Sequence, residues 1–181
     1  MTDLAAPYLE AQRRLRALAD AVDDDLFNRK PAPKAWSAGE CVVHLNKMAK
    51  GYLPVFEAAV AKTQPRAAGP FAYGWVSRKF IDAVRPGSRP IPTAGAMKPP
   101  ASADARQSSV DRARALERFD QDIARFLGVI EASEGMDLAR IKVRSPFLPI
   151  LRLPLGAFVE AMGLHCVRHV QQAERAAGQA A

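Results

Sequence analysis

Apolar residues recur at alternating intervals of three and four positions in long stretches of this sequence, and that spacing constrains the fold most. Near the N-terminus the spacing places Leu4, Tyr8, Ala11, Leu15, Leu18 and Val22 in one series. A later series comprises Leu116, Phe119, Ile123, Phe126 and Ile130. Because an α-helix has about 3.6 residues per turn, each series lies on one helix face. The pattern predicts amphipathic helices that pack together in a bundle.

The boundaries of the first two helices follow from turn and cap signals. The first is predicted over residues 3–24, and Pro31 and Pro33 then mark a connection. The second begins at Ser37, where "SAGE" forms a capping box with Glu40. Trp36 precedes this cap and is expected to pack on Cys41. The helix continues to residue 62, with one apolar face formed by Leu45, Met48, Tyr52, Val55 and Ala59.

The rest of the chain predicts two more long helices and one short helix. A short helix is expected within residues 71–84, and long helices over 104–132 and 155–177. Between them, residues 85–103 carry five prolines and form either a surface excursion or a lid. The proline-rich stretch 137–154 is expected to pack over the bundle end. No strand pattern is apparent. We therefore predict an all-α four-helix bundle in a single domain, residues 1–181, with an additional short helix.

Composition limits the classes of function. The net charge is +7, but the basic residues are scattered and no nucleic-acid-binding motif is recognisable, so no nucleic acid partner is expected. No apolar run is long enough to span a membrane, and no signal peptide is recognisable. The two cysteines, Cys41 and Cys166, do not form a disulfide framework. The expectation is a cytoplasmic protein with reduced thiols.

The chain has three histidines, and two occupy the apolar face of the last helix. That face consists of Phe158, Met162, His165, His169 and Ala173. Imidazoles four residues apart present their ring nitrogens to a common point, which suits a divalent metal. The third histidine, His44, lies beside the apolar face of the second helix. Three histidine ligands would leave a coordination position open, as in catalytic metal sites. The alternative is a polar network in the core without a metal.

Several neighbours of the histidines have two possible roles. Glu40 is either only a capping residue or also a general base. Arg168 either binds an anionic substrate or forms a surface salt bridge. Asn46 and Gln172 are either surface residues or partners that fix histidine tautomers. Both cysteines are interpreted as small core residues. Pocket or core positions are expected for Met48 and Tyr52, and substrate stacking is possible for Tyr73 and Trp75.

Two sequence segments together resemble the DinB/YfiT-like superfamily. They are "WSAGECVVHL" and, about 120 residues later, "GLHCVRHVQQAERA". Members of that superfamily are four-helix bundles with a three-histidine metal site. The matching residues, in identity and order, are Trp36, Ser37, Glu40, His44, His165 and His169. The resemblance extends from about residue 5 to residue 177. Longer connections at 85–103 and 144–154 depart from the simplest members, so the pocket shape is not inherited from them.

The resemblance implies a metal-dependent enzyme that acts on a small molecule. Characterised relatives include S-transferases that use bacillithiol or related low-molecular-weight thiols, and mycothiol-dependent maleylpyruvate isomerase. Other relatives are described as metal-dependent hydrolases. The leading expectation is thiol transfer, and the alternatives are hydrolysis or a non-catalytic binding module. The cofactor is expected to be a divalent transition metal, with zinc, nickel and iron equally compatible with histidine ligands. The resemblance is also compatible with a homodimer.

Overall fold

The computed structural model describes residues 3–64, 72–90, 92–93 and 95–179. These residues form six α-helices, a 3₁₀ turn at Gly95–Met97 and one β-hairpin. The helices are α1 (Ala6–Ala21), α2 (Asp24–Asn28), α3 (Ala38–Ala61), α4 (Trp75–Val84), α5 (Arg112–Ala132) and α6 (Leu155–Ala176). The hairpin strands are β1 (Lys142–Arg144) and β2 (Arg152–Pro154).

The four long helices pack as a bundle around one apolar core. Helix α1 packs against α5 and α6, and α3 packs against the same two helices. The short helix α4 lies on the outside of α6. Each long helix thus contacts two others and contributes its apolar face to the same interior, as the apolar spacing predicts. The predicted all-α class with an additional short helix is confirmed.

The capping box fixes the start of α3 and thereby the position of His44. The Ser37 side chain accepts a hydrogen bond from the Glu40 amide, and the Glu40 carboxylate accepts one from the Ser37 amide, both at 3.0 Å. The same carboxylate lies 2.9 Å from the Lys30 ammonium. The backbone amides of Ser37 and Glu40, which have no partner within the helix, and the buried Glu40 carboxylate therefore all have hydrogen-bond or ion-pair partners. His44 follows two turns later, on the side of α3 that faces α6.

Two predicted helix boundaries were wrong because side-chain caps end or start the helices elsewhere. Helix α1 ends at Ala21, and Asp23 caps the separate α2 by accepting from the Leu26 amide at 2.8 Å. Helix α5 begins at residue 112 rather than 104, because Asp111 caps it. The preceding segment is held extended by Asn28, whose Oδ1 accepts hydrogen bonds from Ser108 and Val110. A tertiary contact here overrides the local helix propensity of residues 104–110.

The stretch 137–154 contains a β-hairpin, which the sequence analysis did not predict. Strands β1 and β2 pair antiparallel, with Val143 opposite Leu153 on the buried side. The strands have three residues each, too few to produce a recognisable alternation. The connection packs on α3, where the Ser145 hydroxyl lies 2.9 Å from that of Tyr52. A Cβ at Gly51 would come within 2.5 Å of Phe147, so a glycine permits this close approach.

Candidate metal centre

The bundle brings all three histidines together in its interior. His44 comes from α3, whereas His165 and His169 lie one turn apart on α6. The side chains of His44 and His169 are buried, with 2% and 7% exposure, and His165 is partly buried. One ring nitrogen from each lies within 4.8 Å of the other two. The Nε2 atoms of His44 and His165 are 3.1 Å apart. Two Nε2 atoms at this distance either share a proton or bind the same ion.

A backbone carbonyl sets the tautomer of His44. The Nδ1 atom of this ring lies 2.8 Å from the carbonyl oxygen of Met97, in the 3₁₀ turn. Because a carbonyl oxygen only accepts, the neutral ring carries its proton on Nδ1. The Nε2 lone pair therefore points toward His165. A hydrogen bond from the distal ring nitrogen to a carbonyl is the usual arrangement around a metal-binding histidine.

The other two histidines contain buried nitrogens that the described protein does not satisfy. Nδ1 of His165 and Nδ1 of His169 have no hydrogen-bond partner among the described residues. An unsatisfied buried polar atom costs about 1–3 kcal/mol. A purely structural polar network would be expected to satisfy its own donors and acceptors. The described residues therefore do not form a complete hydrogen-bonded network around the two imidazoles of α6.

Trp36 packs against the histidine cluster. Its ring centroid lies 5.0 Å from that of His44 and 5.8 Å from that of His169. The predicted packing of this side chain on Cys41 stays a prediction. The sequence position of Trp36, just before the capping box and two turns before His44, was the signal that could have indicated the contact with the histidines. The indole therefore packs against two of the three rings of the cluster.

Burial keeps the three imidazoles neutral. Desolvation lowers the pKa of His44, and a nearby Lys47 lowers it further, whereas the hydrogen bond to Met97 opposes the shift. Desolvation places the pKa of His165 well below its ordinary value, and the neighbouring histidines and Arg168 add to the effect. The same causes lower the pKa of His169 to about 3, and a hydrogen bond in which the Gln172 side chain accepts from the ring opposes this shift. Neutral imidazole is the form that binds metals, so the site needs no prior deprotonation at neutral pH.

Three predicted neighbours of the histidines lie in positions that restrict their possible roles. Glu40 is engaged by its capping box and by Lys30. Asn46 turns to α5 and donates to the Ala115 carbonyl at 2.9 Å. Arg168 makes no salt bridge among the described residues, contrary to the expectation. Its guanidinium instead donates to the Ala83 carbonyl at 3.1 Å and to the Ser88 hydroxyl.

The remaining predicted positions divide between core and surface. Cys41 and Cys166 are buried free cysteines, in agreement with the interpretation as core residues. Burial raises the pKa of both thiols, to about 12 for Cys166. Met48 and Tyr52 are buried in the same core. The Trp75 side chain is 68% exposed. Tyr73 packs against Gly156, where an added Cβ would lie 2.6 Å from the phenol oxygen.

The proline-rich connection reaches back to the site from both of its ends. Near the start of the connection, the Arg168 guanidinium donates to the Ala83 carbonyl and to the Ser88 hydroxyl. Arg168 precedes His169 in α6. Near the end of the connection, Met97 accepts from His44, and Lys98 accepts from the Lys47 ammonium at 2.6 Å. The described part of the connection is therefore anchored beside two of the histidines. These contacts hold the described part of the connection against the bundle, and its role as a lid stays a prediction. The sequence could not indicate the role of Met97, because its backbone carbonyl and not its side chain makes the contact.

Sequence comparison agrees with this site. The family model of the DinB superfamily matches residues 8–173. The chain belongs to the DinB superfamily. No curated protein and no solved structure matches it significantly. Among the described residues of this DinB-superfamily protein, no helix is long and apolar enough to cross a membrane.

The donor set of this DinB-superfamily protein fits a divalent transition metal. Metal–nitrogen bonds of about 2.0–2.1 Å at tetrahedral angles place two ligand nitrogens about 3.3–3.4 Å apart. The observed Nε2 separation between His44 and His165 is 3.1 Å, close to that value. Neutral imidazoles suit zinc, nickel and iron alike, so the donors restrict the class of ion rather than its identity.

The metal-free protein is expected to lose stability as the pH falls below about 6.5, the ordinary pKa of histidine. Because the pKa of His169 is depressed to about 3 in the folded state, the unfolded state binds more protons over that interval. The loss is about 1.4 kcal/mol per pH unit for one such histidine. Urea titrations of metal-free protein between pH 7 and pH 5 measure it. In His169→Gln the slope should be shallower, and an identical slope would contradict the burial of a neutral imidazole.

Proposed function

We propose that this protein is a metal-dependent enzyme in which His44, His165 and His169 hold one divalent transition metal. One observation carries the proposal: the His44 Nε2 lone pair, oriented by the Met97 carbonyl, points at His165 Nε2 across 3.1 Å. Three neutral imidazoles from two helices then supply three ligands and leave a position for an exogenous molecule. Membership of the DinB superfamily supports the same assignment.

The chain's own residues prepare this site in distinct ways. A bound divalent metal would lower the pKa of a coordinated thiol or water, which makes a nucleophile available at neutral pH. Because burial keeps the three rings neutral, a metal would not have to displace protons from them at neutral pH. The Met97 carbonyl fixes the orientation of one ring. Trp36 packs against two of the three rings.

The leading reaction is transfer of a low-molecular-weight thiol to an electrophilic small molecule. Both cysteines of the chain are buried and have raised pKa values, so neither is suited to act as the nucleophile. The thiol must therefore come from outside the protein. A cytoplasmic location, where such thiols are reduced, is part of this proposal. Metal-assisted hydrolysis is the second candidate, because the same site would activate water. A non-catalytic binding module is the third.

A thiol-dependence assay separates the first two reactions. The metal-loaded protein is mixed with 1-chloro-2,4-dinitrobenzene and one of a panel of thiols, including bacillithiol, mycothiol, glutathione and coenzyme A. The thiol sulfur displaces chloride from the ring carbon, and the thiol proton passes to solvent. We expect loss of the electrophile above the uncatalysed rate with at least one thiol. The His169→Ala variant should lose this activity, whereas Cys41→Ala and Cys166→Ala should retain it.

The outcomes assign the reaction class. Turnover that needs no added thiol, measured with a panel of ester substrates, would replace thiol transfer with hydrolysis. Turnover abolished by Cys166→Ala while the metal content is unchanged would contradict an external nucleophile. A metal-loaded protein inactive in both assays would indicate the binding module instead.

A further inference from the structure

A groove between α3 and α5 lies apart from the three histidines, and half of the residues that line it are cations. It has a volume of about 500 Å³, within the range of small-molecule sites. The charged residues along it are Lys47, Lys50, Arg114, Glu117 and Arg118. A second cavity of about 280 Å³ adjoins it and shares Asn46, Arg114 and Arg118. Four cations thus face one carboxylate in the larger groove.

Two of these cations, on Arg114 and Lys50, are exposed. Neither the Arg114 guanidinium nor the Lys50 ammonium has a hydrogen-bond or ion-pair partner within the described part of the chain. By contrast, Arg118 pairs with the buried Asp122 carboxylate at 2.9 Å, and Lys47 donates to the Lys98 carbonyl. The two unpaired cations lie on opposite walls of the groove, one on α5 and one on α3.

The position of Arg114 is unfavourable for the fold alone. It is the third residue of α5, at the helix end that carries partial positive charge, and the first turn contains no acidic residue. The Asp111 carboxylate is already used to cap the Arg114 amide at 3.0 Å. The exposed Arg114 guanidinium is therefore left available to an external anion.

The groove also contains a buried acceptor without a donor. Oδ1 of Asn46 is buried and has no hydrogen-bond partner among the residues described, while its amide nitrogen donates to the Ala115 carbonyl. This oxygen requires an N–H or O–H group. An anionic group between the two walls and a hydroxyl at Asn46 would together satisfy the unpaired groups of the groove.

We infer that the α3–α5 groove binds a small organic phosphate, with Arg114 and Lys50 holding the phosphate and Asn46 accepting from a hydroxyl of the same molecule. Guanidinium suits phosphate because its planar donors match two phosphate oxygens. The site is separate from the proposed metal centre, since no histidine lines the groove.

Calorimetric titration at low ionic strength tests this assignment, with inorganic phosphate and glycerol 3-phosphate as probes. Arg114→Gln and Lys50→Gln should each weaken phosphate binding about tenfold, the effect of losing one charge-assisted hydrogen bond. Arg13→Gln is the matched control: it removes an exposed cation of α1 that has no ion-pair partner among the described residues, and it should change the affinity less than about twofold. Arg114→Gln should also melt at the same temperature or higher, because it removes a cation from the positive end of α5.

Other variants separate this groove from the metal centre. Phosphate affinity should be unchanged in His169→Ala, so failure of the metal assignment leaves this result intact. Glycerol 3-phosphate should bind more tightly than inorganic phosphate because of the Asn46 oxygen, and equal affinity would contradict an organic phosphate. The inference is also overturned if wild type binds no phosphate, or if Arg13→Gln weakens binding as much as Arg114→Gln. The latter would indicate a diffuse surface charge.

Discussion

Replacing His169 with alanine is expected to weaken metal binding by more than about 100-fold, because even loss of a residue that only orients a ligand costs about 10–100-fold. His44→Ala and His165→Ala should have comparable effects, since each removes one of three donors. Metal binding stabilises the folded state by mass action, so added zinc should raise the melting temperature of wild type. In each histidine variant that increase should disappear. Thermal melts with and without zinc measure it directly.

The matched control is Cys166→Ala, which changes a buried residue of the same helix next to His165. This variant should lose some stability by leaving a small cavity, yet keep the full increase on addition of zinc. If zinc raised the melting temperature of His169→Ala as much as that of wild type, the histidines would be core residues only. The polar-network alternative predicts no increase with zinc in wild type or in any variant, together with a simple loss of stability in each variant.

The second large effect is expected at Tyr8, far from any proposed chemistry. This side chain is fully buried, and its hydroxyl donates to the Val159 carbonyl of α6 at 2.7 Å. Its ring stacks near Phe126 of α5, with centroids 4.9 Å apart. Gly163 allows the close approach, because a Cβ there would lie 2.9 Å from the tyrosine ring. Tyr8→Ala should therefore cost about 3–5 kcal/mol of unfolding free energy, as for other large buried aromatic residues.

Tyr8→Phe separates packing from hydrogen bonding at that position. It keeps the ring and loses only the donor, so it should cost about 0.5–1.5 kcal/mol. Urea denaturation of both variants, compared at equal m-values, gives the two contributions. A cost for Tyr8→Phe equal to that of Tyr8→Ala would mean that the hydroxyl, and not the packing of α1 on α5 and α6, dominates this contact.

The sequence predicted the parts of the fold that local chemistry determines. The start of α3 follows from Ser37 and Glu40, whose capping box is complete within four residues. The apolar faces of α1 and α6 follow from spacing, and because the two histidines of α6 lie on its apolar face, His169 is buried and His165 is partly buried. Such features depend on residues within one or two turns, and sequence alone therefore reveals them.

The features that depend on distant residues were not predictable in the same way. Helix α5 starts eight residues later than expected because Asn28, far away in sequence, holds residues 108–110 extended. The hairpin has strands too short to show a pattern. Within the candidate site, the Met97 carbonyl acts through its backbone, so its identity as methionine gives no indication of the contact. Trp36 was singled out, but its contact with the histidines arises only in the tertiary structure.

The metal content of the purified protein tests the central claim most directly. The protein should be produced without a histidine tag, purified without metal columns and analysed by elemental analysis, alone and after reconstitution with zinc, nickel or iron. The account predicts about one divalent ion per chain in wild type and almost none in His44→Ala, His165→Ala and His169→Ala. Wild type that binds no ion even after reconstitution would contradict a metal centre and leave the three histidines as a polar network in the core.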